Sequence, residues 1–421
     1  MIDPKTFDFG QTISSEAGVA QRITFMTSEC DQHTAFAALQ GATRHGNDFI
    51  ETALEAGAPF ILTNLDVPKA VRVTDATAAL RRWARLHRDA TNAELIGITG
   101  SAGKTTAKSL VSSGLDVPCT PGNLNTLNYL ACYLLSNVAV NSTHVIEMGI
   151  DTIGEMDELM RLVAPSIGII TAVGAAHVEF FGSVEVIEFE KGRILQAPHG
   201  MVAGSTAHRY PNTPSYGFLE SCTHRATNLV ATAETVSFSY HGQEIRLETP
   251  SVQVAESAVL ALALSERYGI PLETAKQRLE TSQIPSGRMN IQRGKITLIN
   301  DAYNANPLSV AASLETLARL SGRKVAILGH MRELGANSRQ YHSQIGELAG
   351  KLANLVIAVG EHGDALAQAA LDNGADAVWY SSTDNAKARF LPDIKDGDVV
   401  LVKGSRFVQL EALVEVLRER L

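Results

Sequence analysis

The segment "AELIGITGSAGKTT", Ala93 to Thr106, limits the fold of this chain more than any other stretch. Its first half is apolar without alternation, the pattern of a strand buried on both faces. Glycines follow at Gly100 and Gly103, and a helical pattern begins at Lys104. Strand, glycine loop and helix in that order open a parallel α/β unit and suit a phosphate. The loop departs from the common spelling G-x-x-x-x-G-K-[ST]. Five positions before Gly103 stands Ile98, and the glycine is Gly100, giving G-x-x-G-K-T. The expected binding residues are Gly100, Ser101, Ala102, Gly103, Lys104, Thr105 and Thr106. Backbone N–H groups and the helix N-terminus favour the anion. Lys104 would reach the terminal phosphates, and the Thr105 hydroxyl would ligate Mg²⁺. The alternative is a plain strand–turn–helix corner.

The rest of the chain supports an α/β fold in three units. Residues 1–90 read as a small mixed domain, with strand-like runs at "AFAALQG" and "PFILTN" and a helix over "DATAALRRWARLHRDA". Residues 91–288 read as a central domain. Its further strands are "HVIEMG" and "SIGIITAVG", and alternation on both sides of His241-Gly242 predicts an inserted β hairpin. Residues 289–421 carry "KITLIND", "KVAILGH", "LVIAVG", "AVWYSS" and "DVVLVKG", a second sheet of strands separated by helices.

Composition narrows the function. The 421 residues include 45% hydrophobic and 19% charged, and the net charge is −9. An acidic chain lacks the general electrostatic footprint of a nucleic-acid binder. Cys30, Cys119, Cys132 and Cys222 form no C-x-x-C pair and read as reduced thiols. The absence of a leader and of a bilayer-length apolar run leads us to expect a cytoplasmic protein without membrane contact.

Other candidates sit at strand ends. Glu147 ends "HVIE", where a metal would lie in an open α/β sheet; it also reads as a solvated carboxylate. His177 follows "ITAVGAA" and reads as ligand or structural histidine. Lys191, on pattern alone, is a solvated helix lysine. "DAYNANP", Asp301–Pro307, gathers an acid, a phenol and two amides after a strand. "KGSR", Lys403–Arg406, offers two cations and a hydroxyl for an anionic group, or is a surface loop.

Taken together, "GITGSAGKTT", "GNLN", "VIEMG", "GAAHVEFFGS", "EFEKGRIL", "SGRMN", "DAYNANP", "LGHMRELG" and "KGSR" occur in an order that resembles the Mur ligase family of ATP-dependent amide ligases. The resemblance runs from about residue 25 to the C-terminus. It is nearest to the branch that adds D-alanyl-D-alanine to a UDP-N-acetylmuramoyl tripeptide in peptidoglycan precursor synthesis.

The resemblance implies a nucleotide-sugar domain, a P-loop ATPase-like centre and a Rossmann-like third domain that closes over the site. It implies ATP and two Mg²⁺ ions, with an acyl phosphate intermediate. Lys104 and Thr105 would serve phosphate and metal; Glu147 and His177 would be metal ligands. Lys191 matches a lysine that is carbamylated in several members. Arg288 would meet the ATP phosphates. Asp301, Tyr303, Asn304 and Asn306 would contact the nucleotide. Asn123, Asn125 and Ser28 would touch the acceptor, and Lys403, Ser405 and Arg406 the incoming amine. The implied partners are small-molecule substrates, and a monomer is expected.

Some positions depart from the family pattern. Thr27-Ser28-Glu29 stands for its Asp-Ser-Arg, Val252 and Glu256 for a His and an Asn near the adenine, and His330 for an Asp. A paralogue with another carboxylate and amine, or a non-catalytic nucleotide-binding regulator, are the alternatives.

Overall fold

The computed structural model describes residues 1–41, 43–283 and 288–421. The first two residues of "SGRMN" therefore lie outside the described residues. Apolar runs become strands wherever they are short and flanked by turn residues. In the N-terminal part these are β1 (Thr12–Ile13), β2 (Arg22–Thr24), β3 (Thr34–Ala37), β4 (Ile61–Thr63) and β5 (Ala70–Arg72). They form one sheet in the order β1-β5-β4-β3-β2, with only β1 antiparallel to its neighbour. Helix α1 (Ile50–Glu55) covers one face and α2 (Ala76–Thr91) the other. The Asp75 carboxylate caps α2 by accepting from Thr77 N and Ala78 N at 2.8 and 3.0 Å.

The central sheet holds β6 (Glu94–Thr99), β7 (Thr143–Glu147), β8 (Ile167–Ile170), β9 (His199–Ala203), β10 (Ser215–Gly217) and β11 (His224–Arg225). All are parallel, in the order β11-β10-β9-β8-β6-β7. Helices α3 (Lys104–Leu115), α4 (Leu127–Asn137), α5 (Glu155–Val163), α6 (Val178–Phe181) and α7 (Val184–Gly192) follow the strands. The expected hairpin is present as β13 (Val236–Tyr240) and β14 (Gln243–Leu247), turning at His241-Gly242. A third strand, β12 (Thr227–Ala231), extends it into a separate antiparallel sheet. Its inner face, with Val236, Phe238, Tyr240, Ile245 and Leu247, packs on α8 (Val252–Arg267). Helix α9 (Leu272–Glu280) closes this region.

The last sheet contains β15 (Asn290–Arg293), β16 (Thr297–Asn300), β17 (Lys324–Gly329), β18 (Leu355–Val359), β19 (Asp376–Tyr380) and β20 (Val399–Lys403). Its order is β15-β16-β20-β17-β18-β19, parallel except for β15. Helices α10 (Pro307–Arg319), α11 (Ser338–Leu352), α12 (Gly363–Asp372), α13 (Thr383–Lys387) and α14 (Glu411–Arg418) cover both faces. Among the described residues no helix is long and apolar enough to cross a membrane. The four cysteines are unpaired.

These sheets decide where a ligand can sit. In open parallel sheets the crevice lies beyond the carboxyl ends of the strands. The carboxyl ends of β6, β7 and β8 face the start of α10, and the two sheets meet there.

Candidate active site

The glycine loop is shaped by contacts only glycine permits. A Cβ on Gly100 would collide with Thr171 Oγ1 and stand 3.0 Å from Ala172 N. Gly103 adopts φ +80° and opens α3. Side chains then pin the loop. Thr171 Oγ1 donates to Ala102 O at 2.6 Å, and Ser101 Oγ donates to Gly174 O at 3.0 Å. Lys104 Nζ folds back onto Gly100 O at 2.6 Å. Burial lowers the Lys104 pKa; Glu147 opposes that fall and the nearby Arg288 adds to it.

Glu147, at the end of β7, is buried and held from three sides. Oε2 accepts from Thr105 Oγ1 at 3.0 Å and pairs with Lys108 Nζ at 3.1 Å. Oε1 accepts from Asn125 Nδ2 at 3.0 Å. Burial works to raise its pKa, but Lys108, Lys104 and the hydrogen bonds outweigh burial and hold it below the usual value. Lys108 is a residue the sequence reading missed. It lies one helical turn beyond Lys104, so the i,i+4 spacing on α3 was the available signal.

His177 stands at φ +61°, before α6. Its Nδ1 lies 2.5 Å from Glu333 Oε2 and 3.5 Å from Asp151 Oδ1. Neither approach has hydrogen-bond geometry, so this buried nitrogen is left without a hydrogen-bond partner. Glu333, the acid of "RELG", was quoted in the sequence but given no role; contact with His177 holds its carboxyl low. Lys191 is 1% exposed, not solvated as its helical pattern suggests. Burial, and then Lys104, lower its pKa to about 7 against Asp151 and Glu155.

The third sheet brings its own groups to this edge. Arg288 Cζ lies 4.4 Å over the Tyr303 ring and Arg406 Cζ 5.7 Å from it. The Asn306 side chain donates to Ser101 O at 2.8 Å, tying α10 to the glycine loop. Two expected contacts are spent within the fold. Lys403 Nζ is buried 2.6 Å from Asp301 Oδ2 and 3.0 Å from Asn304 O, so it presents no free cation to an amine or anion. Ser405 Oγ bonds His330 O at 2.5 Å. Arg406 and Asn304 are exposed, as are Asn123 and Ser28. Ser28 lies in the N-terminal sheet's turn, where Glu29 accepts from Thr24 Oγ1 at 2.6 Å.

Thr105 and Glu147 provide the hard oxygen donors a magnesium ion prefers, and His177 adds an imidazole whose Nδ1 lies 2.5 Å from Glu333 Oε2. These residues fit such an ion. Among the described residues no three His, Cys, Asp or Glu side chains already form a metal-binding group.

Comparison with known proteins bears on this geometry. Residues 98–254 match the Mur ligase middle domain, and residues 287–406 match the Mur ligase, glutamate ligase domain. The chain is 32% identical to the UDP-N-acetylmuramoyl-tripeptide–D-alanyl-D-alanine ligase of Treponema pallidum, over 91% of each chain. The chain belongs to the Mur ligase family. As a Mur ligase it is also 28% identical to the Bacillus subtilis enzyme of that name, over 96% of this chain and 94% of the other. A crystal structure of MurF from Acinetobacter baumannii superposes with TM-score 0.84 at 26% identity, covering 94% and 93% of the chains. MurF from Thermotoga maritima in complex with ADP shares the fold, with TM-score 0.82 at 23% identity over 95% and 97%.

Proposed function

We propose that this Mur ligase joins D-alanyl-D-alanine to a UDP-N-acetylmuramoyl tripeptide, using ATP to form an acyl phosphate. The observation that carries the reading is the convergence of Lys104, Glu147 and Arg288 at the glycine loop, roofed by Asn306 of the third sheet. The curated relatives carry that activity in their names. In this reading the enzyme works as a cytoplasmic monomer on small-molecule substrates. The chain divides near residues 90 and 288.

A carboxylate is a poor electrophile, so its oxygen first takes the γ-phosphoryl group of ATP and ADP leaves. Positioning and charge neutralisation dominate such a transfer. Lys104 and Arg288 would offset charge on the phosphoryl oxygens, and the loop N–H groups would hold the remaining phosphates. Thr105, Glu147 and His177 would hold Mg²⁺, which supplies further charge neutralisation when bound. The amine then attacks the acyl carbon, phosphate departs, and one proton is released. The third domain would keep water from the acyl phosphate. Its cross-domain contacts support that role.

Lys191 suits carbamylation. An amine with a pKa near 7 is substantially neutral at neutral pH, and a neutral amine adds CO₂ to give a carbamate and a proton. Carbon-13 NMR with labelled bicarbonate would show a carbamate signal that Lys191→Ala lacks; the same spectrum from both proteins would refute the assignment.

The deciding assay combines the protein, ATP, Mg²⁺, the UDP-muramoyl tripeptide and D-alanyl-D-alanine. We expect ADP, phosphate and a product heavier by the dipeptide less water. The acid Glu29, where the family carries an arginine, favours a second reading, in which a different carboxylate is the acceptor. Turnover only with another carboxylate–amine pair would establish it, and ATP binding without turnover on any pair would end both.

A further inference from the structure

The carboxylate at the centre of the candidate magnesium site already holds a cation of the chain's own. Lys108 Nζ lies 3.1 Å from Glu147 Oε2 and donates to Gly122 O at 2.5 Å. The two side chains are almost fully buried, at 3% and 2% exposed. Among the described residues Glu147 is the one acid that pairs with Lys108.

The contact falls on a particular oxygen. Oε2, the atom Lys108 approaches, also accepts from Thr105 Oγ1 at 3.0 Å, while Oε1 accepts from Asn125. An ion held by Thr105 and Glu147 would therefore meet an ammonium at the oxygen where these side chains converge. That ammonium is fixed from a second side, because Gly122 O belongs to the loop that leads into α4. Driving it off Glu147 would leave a buried charge without its counter-ion, which is costly. Lys104, one turn earlier on α3, adds a second positive charge at this edge.

We propose that Lys108 bars this site to a bare divalent ion, so that the metal enters only with the phosphates of the nucleotide. The inference rests on the magnesium reading of Thr105 and Glu147. Without nucleotide, the site offers an ion one carboxylate whose charge Lys108 already offsets, and like-charge repulsion opposes entry. A nucleotide brings several negative charges and phosphate oxygens. These outweigh one ammonium and supply the ligands that magnesium takes from substrate phosphates. Lys108 is thus a positioning residue that acts through Glu147. The same balance lets the ion leave with ADP instead of remaining on the empty loop.

The test is binding of Mn²⁺, a paramagnetic substitute for Mg²⁺, followed by electron paramagnetic resonance of the whole protein with and without ADP. Wild type should bind Mn²⁺ at this site only when ADP is present. Lys108→Gln removes the charge and keeps N–H donors for Glu147 and Gly122. Without ADP it should bind Mn²⁺ at least about tenfold more tightly than wild type. Lys108→Arg keeps the charge and should stay near wild type. Asp151 and Glu333, the acids beside His177, are the same in all three proteins, so an ion held there cancels in the comparison. Thermal melts supply a second readout. Without nucleotide, Mg²⁺ should raise the melting temperature of Lys108→Gln and leave wild type unchanged, since an ion that binds the folded site stabilises it. Equal affinity for bare Mn²⁺ in wild type and Lys108→Gln would overturn the proposal, as would an equal gain in melting temperature. If ADP promotes Mn²⁺ binding in none of the proteins, the magnesium reading itself is refuted, and this inference with it.

Discussion

Glu147 shows how one residue joins stability to chemistry. Its carboxylate is buried between Lys108, Thr105 and Asn125, the donors that keep it ionised. Removing one member of a buried pair leaves the other uncompensated, at a cost of about 3–5 kcal/mol. Lys108→Met should therefore lower stability by an amount of that order in chemical denaturation. The pH dependence has a definite sign. The folded-state pKa of Glu147 is depressed, so its contribution is present above the unfolded carboxylate value near 4.5 and is lost as pH falls through the lower folded value. In Lys108→Met, stability should change less over this acid range; an unchanged acid limb would mean that the pair does not stabilise the fold. Lys104 belongs to chemistry instead. Lys104→Ala should abolish turnover with little loss of stability, since its amine bonds only the loop's own Gly100 O. Near-normal activity would exclude the proposed phosphate site.

At the scale of elements, the glycine loop and its strand were readable because each signal is local. Continuous apolar runs mark β6, β7 and β8, and Gly100 and Gly103 permit the turn after β6. Gly100→Ala should displace the loop from Thr171 and weaken ADP binding at least tenfold in calorimetry, while the far-UV spectrum is preserved. Unchanged affinity would show that the loop does not need this close approach. Other elements left weaker traces. Strands β10 and β11 have only three and two residues. Strand β12 is almost wholly exposed, so it lacks the alternation that revealed β13 and β14. The Asp301–Lys403 pair joins residues 102 positions apart, and no periodicity reports such a meeting. Pattern alone presents both as ligand contacts, and the fold pairs them with each other. The burial of Lys191 is likewise not legible in α7 alone, whose pattern suggests a solvated lysine.

For the whole molecule, the question is what holds the third sheet against the glycine loop. Among the described residues, the contacts across that junction include Asn306 to Ser101 O, Glu179 N to Glu333 O at 3.0 Å, and His177 beside Glu333. Asn306 can be dissected. Its Oδ1 accepts from Ser309 N at 2.9 Å and caps α10, while its Nδ2 makes the cross-domain bond. Serine is as good a helix cap but cannot reach as an amide does. Asn306→Ser should therefore keep the melting temperature near wild type and lose the bridge. Asn306→Ala should lose the bridge and about 1 kcal/mol of helix cap as well. A bridging hydrogen bond is worth about 1 kcal/mol, roughly a fivefold change in the ratio of closed to open arrangements. Small-angle scattering of the ligand-free protein should then report a larger radius of gyration for both variants, by similar amounts. Thermal melts should separate them. If Asn306→Ser scatters like wild type, the bridge does not set the position of the third domain, and the contact of His177 with Glu333 is left to carry closure. The distinction matters for catalysis, because the domain that must exclude water must also open to release product.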